Sequence, residues 1–91
     1  MTYTFEFDPA KSASNLAKHG LDFLTAQQLW EDEQAEFGNA EDRGERREFM
    51  FAQLYGRVWT TVFVRRADRI RLISVRRSRR DEEDYYESRK S

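Results

Sequence analysis

Lys11, Asn15 and Lys18 fall at i, i+4 and i+7 of a helical pattern, one polar face, and His19 sits directly beside the last of them. Lysines hold anions, and histidine is the side chain that titrates near neutrality without help, so His19 is one of the few residues here able to pass a proton. The same histidine is also in the position of a helix C-terminal cap, where the dipole favours its cationic form. Far along the chain, half of the sixteen residues from Arg65 to Arg80 are arginine, and an acidic run from Asp81 to Asp84 follows at once. Each guanidinium can bond two phosphate oxygens, so arginines gathered at a strand end suit a polyanion.

The net charge of −1 averages opposed blocks: −5 over residues 1–40, zero over 41–64, +7 over 65–80 and −3 over 81–91. The acidic blocks can therefore neutralise arginines inside the molecule. For Arg65, Arg66, Arg69 and Arg80, at hairpin tips and on a helix surface, simple ion pairing is the favoured reading. For Arg76 and Arg77 ligand binding is favoured.

The apolar periodicity predicts the elements that carry these groups. Tyr3, Phe5 and Phe7 alternate with polar residues as in a half-buried strand. Asp8 and Pro9 supply the N-cap and first position of a helix reaching His19, and Gly20 ends it. Ala10, Ala13, Leu16 and Ala17 are expected to cover the core. A second helix opens with Asp22 as cap and Leu21 as a staple against Ala26, and buries Phe23, Ala26, Leu29 and Trp30. Residues 33–47 read as polar and irregular, with at most a short strand around residues 35–38.

After that segment the period changes to two. Residues 48–54 and 57–64 flank a Tyr55-Gly56 turn, and Ala67-Asp68 joins the latter strand to residues 69–76. That last strand carries Ile70 and Leu72 on one face and Ile73 and Val75 on the other, so it is expected inside the sheet, with Arg76 on the Leu72 and Ser74 side. Ser78 is expected to cap a final helix over residues 79–89, whose early acids suit the helix dipole. The predicted class is α+β, order β-α-α-(β)-β-β-β-α, with an antiparallel sheet and the two N-terminal helices on one face.

Length and composition bound the function. At 91 residues the chain makes one small domain with a modest core, and its thirteen aromatic residues argue against disorder despite 36% charged residues. There is no cysteine, hence no disulfide or thiolate chemistry, and one histidine without acids at ligand spacing predicts no bound metal. Four scattered glycines form no phosphate loop, so no nucleotide cofactor is expected. The N-terminus lacks an apolar leader pattern and no apolar run can span a bilayer, which predicts a soluble cytoplasmic protein with no membrane partner.

Two segments, FEFDPAKSASNLAKHGLDF and RIRLISVRRSRRDEEDYYE, with hairpin strands between them, resemble the BrnT family of toxins from bacterial toxin–antitoxin pairs. The pattern D-x-x-K-x-x-x-N-x-x-K-H-G is met by Asp8, Lys11, Asn15, Lys18, His19 and Gly20. The pattern I-S-x-R…E-x-x-x-Y-E is met by Ile73, Ser74, Arg76, Glu82, Tyr86 and Glu87. The resemblance implies a RelE-like ribonuclease fold, RNA cleavage that halts translation, and a BrnA-like antitoxin through which the pair reaches operator DNA. Where this chain reads NAEDRGERRE, family members often carry a second histidine.

Metal-free RNA cleavage uses the 2′-hydroxyl of the substrate as nucleophile, so the protein must supply a proton acceptor and donor and cations for the phosphorane. Arg76 is expected on the scissile phosphate, with Arg77 or Lys18 assisting and His19 or Glu82 exchanging the proton; Lys11, Asn15 and Tyr86 are expected to touch substrate. Two other readings fit the charge pattern: a non-catalytic module docking an acidic protein or nucleic acid through its arginines, and an enzyme acting on a small phosphorylated ligand. The missing glycine-rich loop counts against the latter.

Overall fold

A computed structural model describes residues 3–42 and 44–90. Five strands, β1 (Thr4–Glu6), β2 (Glu36–Asp42), β3 (Glu45–Leu54), β4 (Arg57–Arg66) and β5 (Arg69–Arg77), lie in the order β1-β5-β4-β3-β2. The helices are α1 (Pro9–His19), the short α2 (Phe23–Ala26), which runs into a 3-10 turn over Gln27–Glu31, and α3 (Arg80–Arg89). The class is α+β as expected. The sheet is mixed rather than antiparallel, because β1 pairs parallel to β5 while the other ladders are antiparallel.

The local signals act largely as the residue types dictate. Asp8 accepts the Ala10 amide at 2.9 Å to start α1, and Gly20 closes it in the left-handed region at φ 85°. Asp22 caps α2 through the Thr25 amide at 2.7 Å. Tyr55 and Gly56 both hold positive φ, the requirement of a two-residue hairpin turn twisted with its strands. Ser78 does not cap α3; its hydroxyl lies 2.8 Å from that of Thr60, and the Arg79 amide is capped instead by the Glu82 carboxylate at 2.8 Å.

The segment read as irregular forms a hairpin. β2 pairs with β3 from Glu36 opposite Phe51 to Asp42 opposite Glu45, with Arg43 outside the described residues. Its polar composition follows from position: β2 is the outermost strand, where charge guards an unpaired edge.

Leu21, Phe23, Ala26 and Leu29 cover one face of the sheet and pack on Met50, Ala52, Trp59, Phe63, Ile70, Leu72 and Val75. The other face carries α3, with Glu82 against Thr60 and Arg76, and Tyr85 against Phe51. The third helix is thus separated by the sheet from the first two.

A β-bulge in β5 corrects the expected side-chain parity. The pairing runs Phe63 with Leu72, then Val62 with Ser74, so Ile73 is the extra residue. Beyond it Val75 joins Ile70 and Leu72 in the core, while Ser74 and Arg76 turn to the α3 face. Arg76 and Leu72 therefore lie on opposite faces.

Helix α1 also departs from expectation. Ala10, Ala13, Leu16 and Ala17 are exposed, Leu16 by 49%, and the buried residues are Ser12 and Asn15. The reason is what α1 packs against. Past Arg71, where the three-residue β1 ends, the edge of β5 presents backbone rather than side chains. Asn15 meets it by donating to the Val75 carbonyl at 2.8 Å and accepting the Val75 amide at 3.1 Å, and it donates again to the Leu21 carbonyl at 2.7 Å. Ser12 Oγ accepts the Phe23 amide at 2.9 Å. An apolar helix face would leave these groups unpaired. Asn15→Leu is expected to lower stability by about 2–4 kcal/mol, since buried backbone groups lose their partners, and a shift of the urea midpoint without a change in slope is the measurement.

Candidate functional site

Lys11, Lys18 and His19 are brought together as the sequence pattern requires. They line an open cleft of about 200 Å³ with Ser14, Asn15, Ile73 and Ser74. Lys11 and Lys18 flank Asn15 on the α1 face that packs on the edge of β5, so the bond that holds the helix also aims the two lysines. His19, the last residue of α1, is exposed beside them.

Arg76 follows Ser74 on the same face of β5, one strand period or about 7 Å along. Its guanidinium is gripped by Glu82 in a two-pronged pair, Nη1 to Oε1 and Nη2 to Oε2, both at 2.8 Å. Nη1 also donates to the Arg77 carbonyl at 3.3 Å. A guanidinium has five N–H donors; these contacts use three and leave two. Its side chain is 26% exposed. Arg77 is exposed at the end of β5.

Glu82 is unsuited to the proton transfer expected of it. Besides Arg76 it accepts the Thr60 hydroxyl at 3.0 Å and the Arg79 amide at 2.8 Å. Every partner stabilises the charged form, led by the Arg76 guanidinium, and together they outweigh burial and hold the carboxyl at about 2. The Arg76 pKa is raised by the same bonds. The carboxylate is a fixed anion that orients an arginine.

Tyr86, expected at the substrate, is a core residue. It is 1% exposed, and its hydroxyl donates to Asp32 Oδ2 at 2.6 Å. Burial, with Asp32 next to it, raises the Tyr86 pKa. For Asp32, burial acts upward but is outweighed by bonds from Tyr86, the Gln53 amide and the Gln34 amide, and its pKa is lowered. This cluster pins α3 to β3. Asn15 likewise spends three of its four hydrogen-bonding positions on backbone, so its expected contact with substrate gives way to a structural role.

Sequence reasoning did not find Thr60 or Asp32 and named Ser78 only as a cap; their bonds to Ser78, Glu82, Tyr86 and Thr60 span eighteen or more residues of chain. The arginines assigned to ion pairs have acidic partners: Arg65 with Glu48 at 2.6 Å, Arg66 with Glu45 at 3.6 Å, Arg69 with Glu6 at 3.7 Å and Arg80 with Asp84 at 3.7 Å. Among the described residues no group of three or more His, Cys, Asp or Glu side chains is close enough to hold a metal ion, and no helix is long and apolar enough to cross a membrane.

A mixed α+β sheet with a cationic cleft on one edge and a braced arginine beside it is compatible with a small toxin fold. The family model described as "Ribonuclease toxin, BrnT, of type II toxin-antitoxin system" matches residues 7–82, and the chain belongs to that family. No curated protein matches the chain. The matched span takes in the whole of α1 and ends at Glu82, so it includes both halves of the Arg76 pair.

The depressed Glu82 pKa predicts a pH signature. Its stabilising contribution is present above the unfolded carboxyl value of about 4.5 and is lost as pH falls through that value towards about 2. Thermal unfolding across this window is expected to fall less steeply with acid in Glu82→Gln than in the parent, and parallel curves would remove Glu82 from the linkage.

Proposed function

We propose that the protein is a cytoplasmic, metal-independent endoribonuclease of RelE-like ancestry that cuts RNA, thereby inhibits translation, and is neutralised by a BrnA-like antitoxin. The observation that carries this reading is a braced, partly exposed Arg76 one strand period from Ser74, which lines the cleft that holds Lys11, Lys18 and His19. Family membership supports the ribonuclease and antitoxin parts.

In this reading the 2′-oxygen of the substrate attacks phosphorus, and the bond to the 5′-oxygen breaks. The product ends are a 2′,3′-cyclic phosphate and a 5′-hydroxyl. The two remaining Arg76 donors meet the phosphorane oxygens, and Lys18 adds a second cation. His19 takes the 2′-hydroxyl proton, water protonates the leaving 5′-oxygen, and the hydroxide so formed takes the proton back from His19. Glu82 acts through Arg76. Arg77 and Lys11 hold the flanking phosphates.

Arg76→Ala is expected to abolish growth arrest in cells, with a loss in cleavage rate of roughly 30- to 1,000-fold for a removed charge-stabilising donor. Because that change strands Glu82, the double variant Arg76→Ala/Glu82→Gln should regain stability without regaining activity. Full growth arrest by either folded variant would overturn the assignment. RNA cleavage is expected to persist in excess EDTA. Cleavage lost in EDTA and restored by magnesium or zinc would replace this mechanism with a metal-dependent one.

The antitoxin is expected to cover the Arg76, Arg77 and α3 surface with an acidic segment, and its association to slow with added salt as the charges are screened. RNA and antitoxin then compete. Joint retention of both on one cleavage-dead toxin molecule would place the antitoxin elsewhere.

A further inference from the structure

Beyond the lysine cleft, the α3 face of the sheet holds a second concavity of about 320 Å³, lined by Glu36, Phe37, Gly38, Phe49, Phe51 and Tyr85. Its walls are aromatic, and the Tyr85 ring is unusually open, by 48%, while the Phe37 ring turns to the opposite face against Phe63 at 6.4 Å. Gly38 shapes it: a Cβ there would overlap the tip of the Phe49 ring. Phe49 and Phe51 are 5.3 Å apart between centroids, and Tyr85 meets Phe51 edge-on at 6.1 Å.

The sheet register joins this pocket to the lysine cleft. Gly38 pairs with Phe49, Phe49 with Val62, and Val62 with Ser74, and Ser74 lines the cleft with Lys18 and His19. The neighbouring row ends on Arg76 through Phe51 and Thr60. Three strand spacings, about 14 Å, separate the ends of each row. Arginines lie at both margins, Arg89 5.8 Å over the Tyr85 ring and 3.8 Å from Glu36, and Arg47 one strand period from Phe49 and 3.8 Å from Glu45.

We infer that this pocket is a base-stacking subsite: it takes an unpaired nucleobase of the RNA whose phosphate is held at Arg76 and the lysine cleft. The inference rests on the ribonuclease reading. Aromatic faces bordered by guanidinium groups, in line with a phosphate site, match single-stranded nucleic acid, where each base offers a π-face and each linkage a charge. A second copy of this chain fits less well. The β2 edge carries Glu36 and Glu41, so two such edges would bring like charges together.

The test uses the full-length protein and a short single-stranded RNA carrying 2-aminopurine and 2′-O-methyl groups throughout, so that it cannot be cut. Stacking is expected to quench the fluorophore at one position. Phe49→Leu, which keeps apolar volume but no π-face, and Tyr85→Ala, on the helix surface, should each lose the quenching and weaken binding roughly 5- to 150-fold. Gly38→Ala should act likewise by displacing the Phe49 ring. Quenching and affinity unchanged in all three variants would overturn the subsite. So would unchanged RNA affinity with loss of antitoxin binding, which reassigns the pocket to protein docking, or with a change in sedimentation, which reassigns it to self-association. The two readings fail separately: a protein that quenches but cuts no RNA loses only the catalytic proposal, and one that cuts RNA without quenching loses only the subsite.

Discussion

The Asn15 amide takes the place of a missing strand. Strand β1 ends after three residues, and the rest of the β5 edge would otherwise be left to water or to a foreign strand. One side chain engages both the N–H and the C=O of Val75, as a neighbouring strand residue would, and fixes the turn of helix α1 in the same act. Lys11 and Lys18 flank it one turn away on either side, so the cationic cleft follows from how the edge is closed. Stability and site geometry therefore depend on one amide.

The second constraint is electrostatic. A bidentate arginine–carboxylate pair that is only partly exposed is not a strong source of net stability, because desolvation offsets much of the attraction. What it supplies is orientation. Glu82 begins the third helix, caps it through the Arg79 amide, touches Thr60 and holds Arg76, so one carboxylate ties helix, sheet and guanidinium together. The charge segregation in the sequence has the same origin: much of the arginine block is matched by acids brought to it from β1, β3 and α3.

Much of this was legible in the sequence where the signal is local. The caps at Asp8, Gly20 and Asp22, the Tyr55-Gly56 turn and the period-two strands each depend on neighbours within a few residues. What escaped depends on partners far along the chain. An asparagine on a polar helix face looks the same whether it meets water, substrate or a strand edge, and Tyr86 looks like a contact residue until Asp32 is seen beside it. The β2–β3 hairpin was hidden because an outer strand needs little apolar patterning. The parallel pairing of β1 has no local mark at all.

The bulge at Ile73 makes β5 a strand that reads differently on its two sides. Before it, even-numbered residues are core; after it, odd-numbered ones are. The extra residue is therefore a parity switch between folding and chemistry. Straightening the strand with the extra residue retained would move the arginine inward and a valine outward in one step, whereas deleting Ile73 together with the bulge would leave Ser74, Val75 and Arg76 on the faces they now hold. The strand can therefore absorb the loss of a residue here, while an added residue beyond the bulge would reverse every face that follows, so β5 tolerates shortening at this point better than lengthening.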